Sequence, residues 1–309
     1  MRDLRRSEPG LCEEYIAGCD KTVECVETLT DHVRSMVDIL RGPLKRLASY
    51  AEREYLYLTT KTLKLGGSTT GDTELAEVFR STSLVEVLAV FHDLGKCTLS
   101  SQRSLRESCT APYHEVTSAA LLLAYLTFLT SVGGSKPAIA EVIPPVLSVL
   151  LHHHAMRGLN HLYEHVRRIS LGSADLESVL KGLRCACEVL RVPRVEKFST
   201  WIRGMGLGRF TEALKRLLEL IESSKGISDA GSTSGVTLAE VYRISILLTA
   251  TLSVADNVAA SLNRRYCGRF GVQEALRAGT LHGFVRSLLA REILRDDIAK
   301  AFRRALGVT

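Results

Sequence analysis

Five histidines and two aspartates form the chemical pattern that stands out in this 309-residue sequence. The histidines lie in or beside strongly apolar segments, although the nitrogens of a buried imidazole ring need polar partners. Imidazole and carboxylate side chains that converge in an apolar interior are typical metal ligands, and a set of this size suits two divalent cations. The candidate ligands are His32, His92, Asp93, His114, His152, His153 and Asp256.

The adjacent pair His92 and Asp93 indicates how one site could hold two ions. Neighbouring side chains on a regular helix point about 100° apart, but at a helix end they can face the same site. Each oxygen of Asp93 can then bind a different ion, and such a pair of ions hydrolyses phosphodiesters by acidifying water and neutralising phosphate charge. Imidazole-rich ligand sets favour manganese, iron, cobalt, nickel or zinc. We therefore expect two divalent transition-metal ions, with magnesium as the alternative.

The segments that must position these residues have helical periodicity. Apolar residues recur at helical spacing after Thr30, and a strongly apolar segment runs up to His92. Capping boxes, in which a Ser or Thr stands shortly before a Glu, predict helix starts at Ser83 and Thr237. Gly95 is expected to end the helix before it and to allow a close backbone approach to a ligand.

The rest of the chain also has a helical pattern. Further helices are predicted over 114–132, after the pair Pro144-Pro145, and over about 281–306. Strand-like alternation is scarce, so the predicted fold class is all-α. We expect a single domain over 1–309, with a helical insertion or lid at about 157–235, a more charged stretch in which no motif is recognised.

The net charge is compatible with an anionic partner, although a moderately basic surface more often reflects solubility, and the start of the chain indicates an intracellular protein. The chain is 46% apolar with a net charge of +6, which suits a large buried core and attraction to nucleic acid. No apolar signal segment follows the charged start, and no apolar stretch reaches the length of a membrane span, so we expect a cytoplasmic location without membrane contact. The eight cysteines contain no C-x-x-C pair, which disfavours a zinc ribbon and indicates reduced thiols, with disulfides as the alternative.

The candidate ligands, in their order along the chain, resemble the motif of the HD-domain metal-dependent phosphohydrolases. The likeness is carried by His32, by the run His92-Asp93-Leu94-Gly95-Lys96 and by Asp256. The order H, HD, H, HH, D is similar to that of the CRISPR-associated HD nuclease of type I interference systems, over about residues 30–265. Because the sequence contains no phosphate-binding G-x-x-x-x-G-K-[ST] loop, it resembles the stand-alone nuclease subunit rather than a fusion with a helicase.

The resemblance implies an HD-domain helical bundle that cleaves single-stranded DNA, with RNA as the alternative substrate. Its implied partners are a separate CRISPR-associated helicase subunit and an RNA-guided surveillance complex. One ion would lie among His32, His92, Asp93 and Asp256. The other would lie among Asp93, His114, His152 and His153. Lys96 would join His92 and Asp93 as a catalytic residue, facing the phosphate and stabilising its developing charge.

Other interpretations of the ligands and of the function stay open. Three consecutive histidines stand where the family has two, so His153-His154 is the alternative to the favoured pair His152-His153. An HD-type phosphohydrolase acting on mononucleotides is an alternative function, and a non-enzymatic helical metal-binding module is another. A purely structural metal site usually has four ligands around one ion, which disfavours the non-enzymatic module.

Overall fold

A computed structural model describes residues 15–20, 25–42, 44–65, 74–132, 139–152, 166, 172–223 and 237–265. The regular structure in these ranges is helical except for one β-hairpin, so the all-α prediction is confirmed. The hairpin consists of β1 (Ile16–Asp20) and β2 (Cys25–Thr28). The helices are α1 (Leu29–Arg41), α2 (Lys45–Leu65), α3 (Glu74–Ser81), α4 (Leu84–Phe91), α5 (Leu99–Ser108), α6 (His114–Val132), α7 (Ile139–Leu151), α8 (Ser173–Cys187), α9 (Val195–Met205), α10 (Gly208–Ser223) and α11 (Leu238–Ala260). A 3₁₀ turn (Leu94–Cys97) follows α4, and a π-helical turn (Ser261–Arg265) extends α11.

Helix α6 lies at the centre of the bundle because it is apolar on nearly every side. It packs against α7 and α10, while α11 packs against α7, α1 and α2. Helix α6 and the segment Ala239–Arg264 are long and apolar enough to cross a membrane, but 83% and 82% of their apolar windows are buried inside the protein. The expectation that no apolar stretch reaches this length is therefore wrong for both segments, since α6 begins at His114 and has 19 residues and Ala239–Arg264 has 26.

The described part of the predicted insertion at 157–235 packs on the rest of the bundle. Helix α8 contacts α1 and the 3₁₀ turn, and α10 contacts α6. The aromatic rings of Phe198 and Trp201 on α9 lie against Phe128 on α6, with ring centroids 5.8 Å and 5.6 Å apart. One apolar core therefore runs from α6 into this segment. Of the insertion, 157–165, 167–171 and 224–235 lie outside the described residues, as does the helix predicted over 281–306.

The two predicted capping boxes have different outcomes. At α11, Glu240 N donates to Thr237 Oγ1 at 3.2 Å and Thr237 N donates to Glu240 Oε2 at 2.9 Å, so the complete box is confirmed. At α4, Glu86 N donates to Ser83 Oγ at 3.2 Å, which caps the helix as predicted. The Glu86 carboxylate instead pairs with Arg41 at 2.8 Å, because α1 brings a guanidinium within its reach.

Helix α7 begins at Ile139, before the pair Pro144-Pro145, so the expectation that these prolines open the helix is wrong. A proline inside a helix lacks the N–H that would bond the fourth residue before it, at a typical cost of about 3 kcal/mol. The apolar side chains of α7 are buried against both α6 and α11, and this packing offsets the lost hydrogen bonds.

The β-hairpin leads directly into α1 and was not predicted. Strands β1 and β2 pair antiparallel, with Gly18 opposite Glu27 and an irregular register between Ile16 and Gly18. The side chain of Gln102 on α5 covers the outer edge of β1, accepting from Ile16 N at 3.1 Å and donating to Ile16 O at 2.9 Å. The strands have five and four residues, which is too short for alternation to be recognised in the sequence.

A disulfide joins Cys19 of β1 to Cys109 at the end of α5, with the two Cα atoms 5.5 Å apart. Cys185 is also disulfide-bonded, while Cys97 and Cys187 are free thiols. The expectation of reduced thiols is therefore wrong for Cys19, Cys109 and Cys185. The bridge joins positions 90 residues apart, so no local cysteine spacing indicated it.

Removal of the Cys19–Cys109 disulfide should destabilise the fold. Cys109→Ser is expected to lower the free energy of unfolding by about 2–5 kcal/mol, because the unfolded chain regains the entropy of a long closed loop. Chemical denaturation of Cys109→Ser, Cys19→Ser and the double variant measures the loss. All three should lose the same free energy, since each lacks the same bond, and additive losses would contradict the bridge.

Candidate metal centre

The structure brings six of the seven candidate ligands together in the buried interior. They come from five helices or from the residues that directly follow them: His32 (α1), His92 and Asp93 (after α4), His114 (start of α6), His152 (after α7) and Asp256 (α11). Most stand at helix ends, where side chains from several helices can point to one place. The seventh, His153, lies outside the described residues, as does its alternative partner His154.

The first group of ligands consists of His32, His92, Asp93 and Asp256, whose ligand atoms all lie within 4.8 Å of one another. The Nε2 atom of His32 lies 3.3 Å from Nε2 of His92 and 3.1 Å from Oδ1 of Asp256. Asp93 Oδ2 lies 3.5 Å from Nε2 of both histidines. Ligand atoms about 2.1 Å from one ion are separated by roughly 3–3.5 Å, so these spacings suit a single cation.

The second group consists of Asp93, His114 and His152, whose ligand atoms also lie within 4.8 Å of one another. His114 Nε2 lies 3.3 Å from Asp93 Oδ1, and the His114 and His152 ring centroids are 6.3 Å apart. Asp93 therefore belongs to both groups with different oxygens, Oδ2 toward the first and Oδ1 toward the second. This division of the described ligands is the one that the resemblance implied.

Hydrogen bonds on the far side of three rings orient their Nε2 atoms toward the centre. His92 Nδ1 lies 2.9 Å from Ala89 O and His114 Nδ1 lies 2.6 Å from Ala111 O. His152 Nδ1 makes the corresponding contact with Val149 O. A carbonyl accepts only from N–H, so each bond places the proton on Nδ1 and directs an Nε2 lone pair inward, as in metal-binding histidines.

His32 has a buried carboxylate partner, Glu27, that the sequence did not predict. His32 Nδ1 lies 2.7 Å from Glu27 Oε1, which also accepts from Asn263 Nδ2 at 2.8 Å. The other oxygen of Glu27 accepts from Arg264 Nε. No sequence signal pointed to these residues, because Glu27 lies on the unpredicted hairpin and the other two lie on the π-helical turn after α11.

Asp93 is held in place and kept ionised by its surroundings. Burial would raise the pKa of its carboxyl group, but the neighbouring His92 and Lys96 hold that pKa well below its usual value. Lys96 Nζ donates to Asp93 Oδ2 at 2.6 Å and is itself buried. In this arrangement Lys96 fixes a ligand shared by both groups, while its predicted contact with a phosphate stays a prediction.

Gly95 has a different role from the one expected. Helix α4 ends at Phe91, so the expectation that Gly95 ends it is wrong, and Gly95 lies inside the 3₁₀ turn. The expected close approach occurs, but toward the backbone of His114, whose carbonyl oxygen a Cβ at Gly95 would overlap. Gly95 N also donates to Ser118 Oγ at 2.8 Å, and Tyr113 has a φ of 65°. The contact of Gly95 with His114 and its hydrogen bond to Ser118 fix the start of α6 beside the site, after the left-handed backbone at Tyr113.

The charge states of two ligands differ in the metal-free protein. Burial opposes the charged form of His32, but Glu27, Asp256 and Asp93 outweigh it and raise the pKa of His32 to about 9. Burial and the neighbouring His92 lower the pKa of His152 to about 3. At neutral pH a cation must therefore displace a proton from His32, whereas His152 is already neutral.

Metal binding should therefore release the proton of His32 and none from His152. Between pH 6.5 and about 9, His32 is protonated in the folded, metal-free protein and has lost this proton when a metal is bound. The affinity of the first group for the metal should therefore rise with pH, by up to about tenfold per pH unit, and should level off above pH 9. Titration calorimetry at pH 7.5 in PIPES and in HEPES, two buffers that bind metals weakly, measures this, because a released proton adds the ionisation enthalpy of the buffer. Identical enthalpies in both buffers would contradict the assignment.

The same pKa shifts set the pH dependence of metal-free stability. His32 has a raised pKa, so its contribution is fully present below about pH 6.5 and is lost as the pH rises through about 9. His152 has a lowered pKa, so its contribution is lost as the pH falls from 6.5 toward about 3. A bound metal ion should prevent the loss of stability that occurs as the pH rises through about 9, because the ion takes the place of the His32 proton.

The donor set fits a metal ion, because imidazole nitrogens and carboxylate oxygens converge on one buried place. These groups can therefore hold a metal ion. A scan against protein-family models and searches of curated proteins and of solved structures each found no match.

Proposed function

We propose that the chain is a metal-dependent phosphodiesterase in which two divalent cations bind next to each other and share Asp93. The observation that carries the proposal is the division of the Asp93 oxygens between two groups of buried ligands. A structural metal site closes around one ion with four ligands and does not need a shared carboxylate. Two adjoining ions sharing a carboxylate are typical of enzymes that hydrolyse phosphate esters.

The bound ions would supply the positive charge that neutralises a phosphodiester and the acidity that prepares water for attack. The chain's own residues prepare the place for this chemistry. Lys96 keeps Asp93 ionised and oriented. Backbone carbonyls hold the imidazoles of His92 and His114 with Nε2 inward. The surrounding apolar core lowers the local dielectric, which strengthens each electrostatic interaction.

The substrate that we propose is single-stranded DNA, with RNA as the alternative. The order of the ligands in the chain supports a nuclease of the CRISPR-associated HD type, acting with a separate helicase subunit and an RNA-guided surveillance complex. The net charge of +6 supports a polyanionic substrate. The same chemistry in a closed pocket would suit a mononucleotide, so the test must separate a polymer from a nucleotide.

Cleavage of end-labelled single-stranded DNA by the purified chain tests the proposal. Reactions with Mn²⁺, Ni²⁺, Co²⁺ or Mg²⁺ should shorten the DNA, and a chelator should stop the reaction. Parallel reactions with nucleoside triphosphates and with single-stranded RNA identify the preferred substrate. Phosphate release from nucleotides together with intact DNA would favour a nucleotide phosphohydrolase. Metal uptake without hydrolysis of any of these substrates would favour a non-enzymatic metal-binding module.

A further inference from the structure

We infer that Glu27, held by Arg264 and Asn263, positions His32 and strengthens its binding to a metal ion in the first group. The inference rests on the proposed metal binding and assigns to this chain three residues outside the ligand set. Glu27 would not touch the metal or the substrate, so it is a positioning residue. Its effect would pass through one hydrogen bond, from His32 Nδ1 to Glu27 Oε1 at 2.7 Å.

His32 is oriented differently from the other described histidines of the site. His92, His114 and His152 each have a backbone carbonyl as the close acceptor of Nδ1, and Glu115 lies farther from His114, at 3.4 Å. His32 has a buried carboxylate in that position. A carboxylate acceptor makes the opposite nitrogen a stronger donor to a metal than a carbonyl does. The metal affinity of the first group should therefore depend on the carboxylate partner of His32, whereas the metal affinity of the second group should not.

The environment of Glu27 is built to hold its carboxylate in one orientation. Glu27 is buried and accepts from Asn263 on the oxygen that faces His32. Asn263 is itself held by Ser35 of α1, at 3.1–3.2 Å. Arg264 donates to the second oxygen. Both oxygens of Glu27 are thus engaged, and rotation of its carboxylate would break bonds to two separate elements.

The hairpin provides the space for Arg264. Gly18 stands opposite Glu27 across the two strands. A Cβ at Gly18 would overlap Nε of the Arg264 side chain. The absence of a side chain at Gly18 therefore lets the guanidinium lie against Glu27. If the Arg264–Glu27 ion pair served folding alone, Glu27 would not need to accept a hydrogen bond from His32 as well. The contact between Glu27 and His32 therefore favours a positioning role for Glu27.

A titration of the full-length metal-free chain with Co²⁺, followed by its visible absorption, tests the inference. Glu27→Gln keeps the size of the side chain and removes its charge. We expect one of two binding steps to weaken about 10–100-fold, the range for partners of metal-bound histidines. The other step, identified as the one that His152→Ala weakens, should stay unchanged. Glu86→Gln, which removes a carboxylate from an Arg–Glu pair at the surface, is the matched control.

A second variant guards against misfolding of the first. Gly18→Ala leaves Glu27 intact and pushes Arg264 from its place, so it should weaken the same step to a smaller extent. Equal weakening of both steps in the two variants would indicate a general structural role and overturn the inference. Unchanged binding in Glu27→Gln would overturn the inference alone. A wild-type chain that takes up no Co²⁺ would overturn both the inference and the proposed function.

Discussion

Asp93→Asn is expected to abolish metal-dependent cleavage and to remove metal from both groups. Asparagine is close to aspartate in size, but it replaces one carboxylate oxygen by an N–H₂ group that cannot bind a cation and removes the charge that Lys96 neutralises. Loss of a hydrogen-bonded partner behind a ligand costs about 10–100-fold in affinity or activity, and loss of a shared ligand should exceed that. Plasma mass spectrometry gives the metal content, and cleavage of labelled DNA gives the activity.

The matched control for this change is Asp38→Asn. Asp38 is exposed on α1, the helix that carries His32, so the control makes the same chemical change outside the site. It should retain full metal content and activity. If Asp93→Asn lost metal from only one group, or kept its activity, Asp93 would not be shared between the two groups.

Gly95→Ala is expected to destabilise the protein and to disturb the second group of ligands. The added methyl group would overlap the carbonyl oxygen of His114, and neither backbone can move freely because Gly95 N is bonded to Ser118. Overpacking of this kind costs about 1–3 kcal/mol, and more where backbone must move. Thermal or chemical denaturation measures the loss. Titration with Co²⁺ should show weaker binding in the step that depends on His114.

Gly204→Ala is the matched control for Gly95→Ala. Gly204 lies in α9, where a Cβ would meet no atom within 4 Å other than the adjoining backbone of its own helix, so alanine should leave stability unchanged or raise it by up to about 1 kcal/mol. A Gly95→Ala protein as stable as wild type, with both metal steps intact, would show that the start of α6 does not need this close approach.

Local patterns in the sequence predicted several of the helices. The apolar run before His92 and the continuous apolar segment after His114 identified α4 and α6, and the pair Thr237 and Glu240 gave the start of α11. Each of these signals lies within one helix. The prolines of α7 led to a wrong prediction of where this helix begins. Burial of α7 against two other helices outweighs the hydrogen bonds that the prolines remove, and no local sequence pattern indicates that packing.

The ligand set was more predictable than the residues that support it. Residue type marked the candidate ligands, the resemblance implied that His32, His92 and Asp256 share one group, and the structure brings these three together. Glu27 and Arg264 act through side-chain hydrogen bonds between the hairpin and the turn after α11, at positions 237 apart in the sequence, so neither periodicity nor spacing marks them. The Cys19–Cys109 bridge and the Glu86–Arg41 pair escaped prediction for the same reason.

The most direct test of the central claim is electron paramagnetic resonance of the metal-free chain titrated with Mn²⁺. Two ions that share the Asp93 carboxylate should interact magnetically, so two equivalents should produce the multiline spectrum of a coupled pair, and Asp93→Asn should not produce it. Uptake of one ion per chain, or two ions that give only the six-line spectrum of isolated Mn²⁺, would contradict a shared two-metal centre.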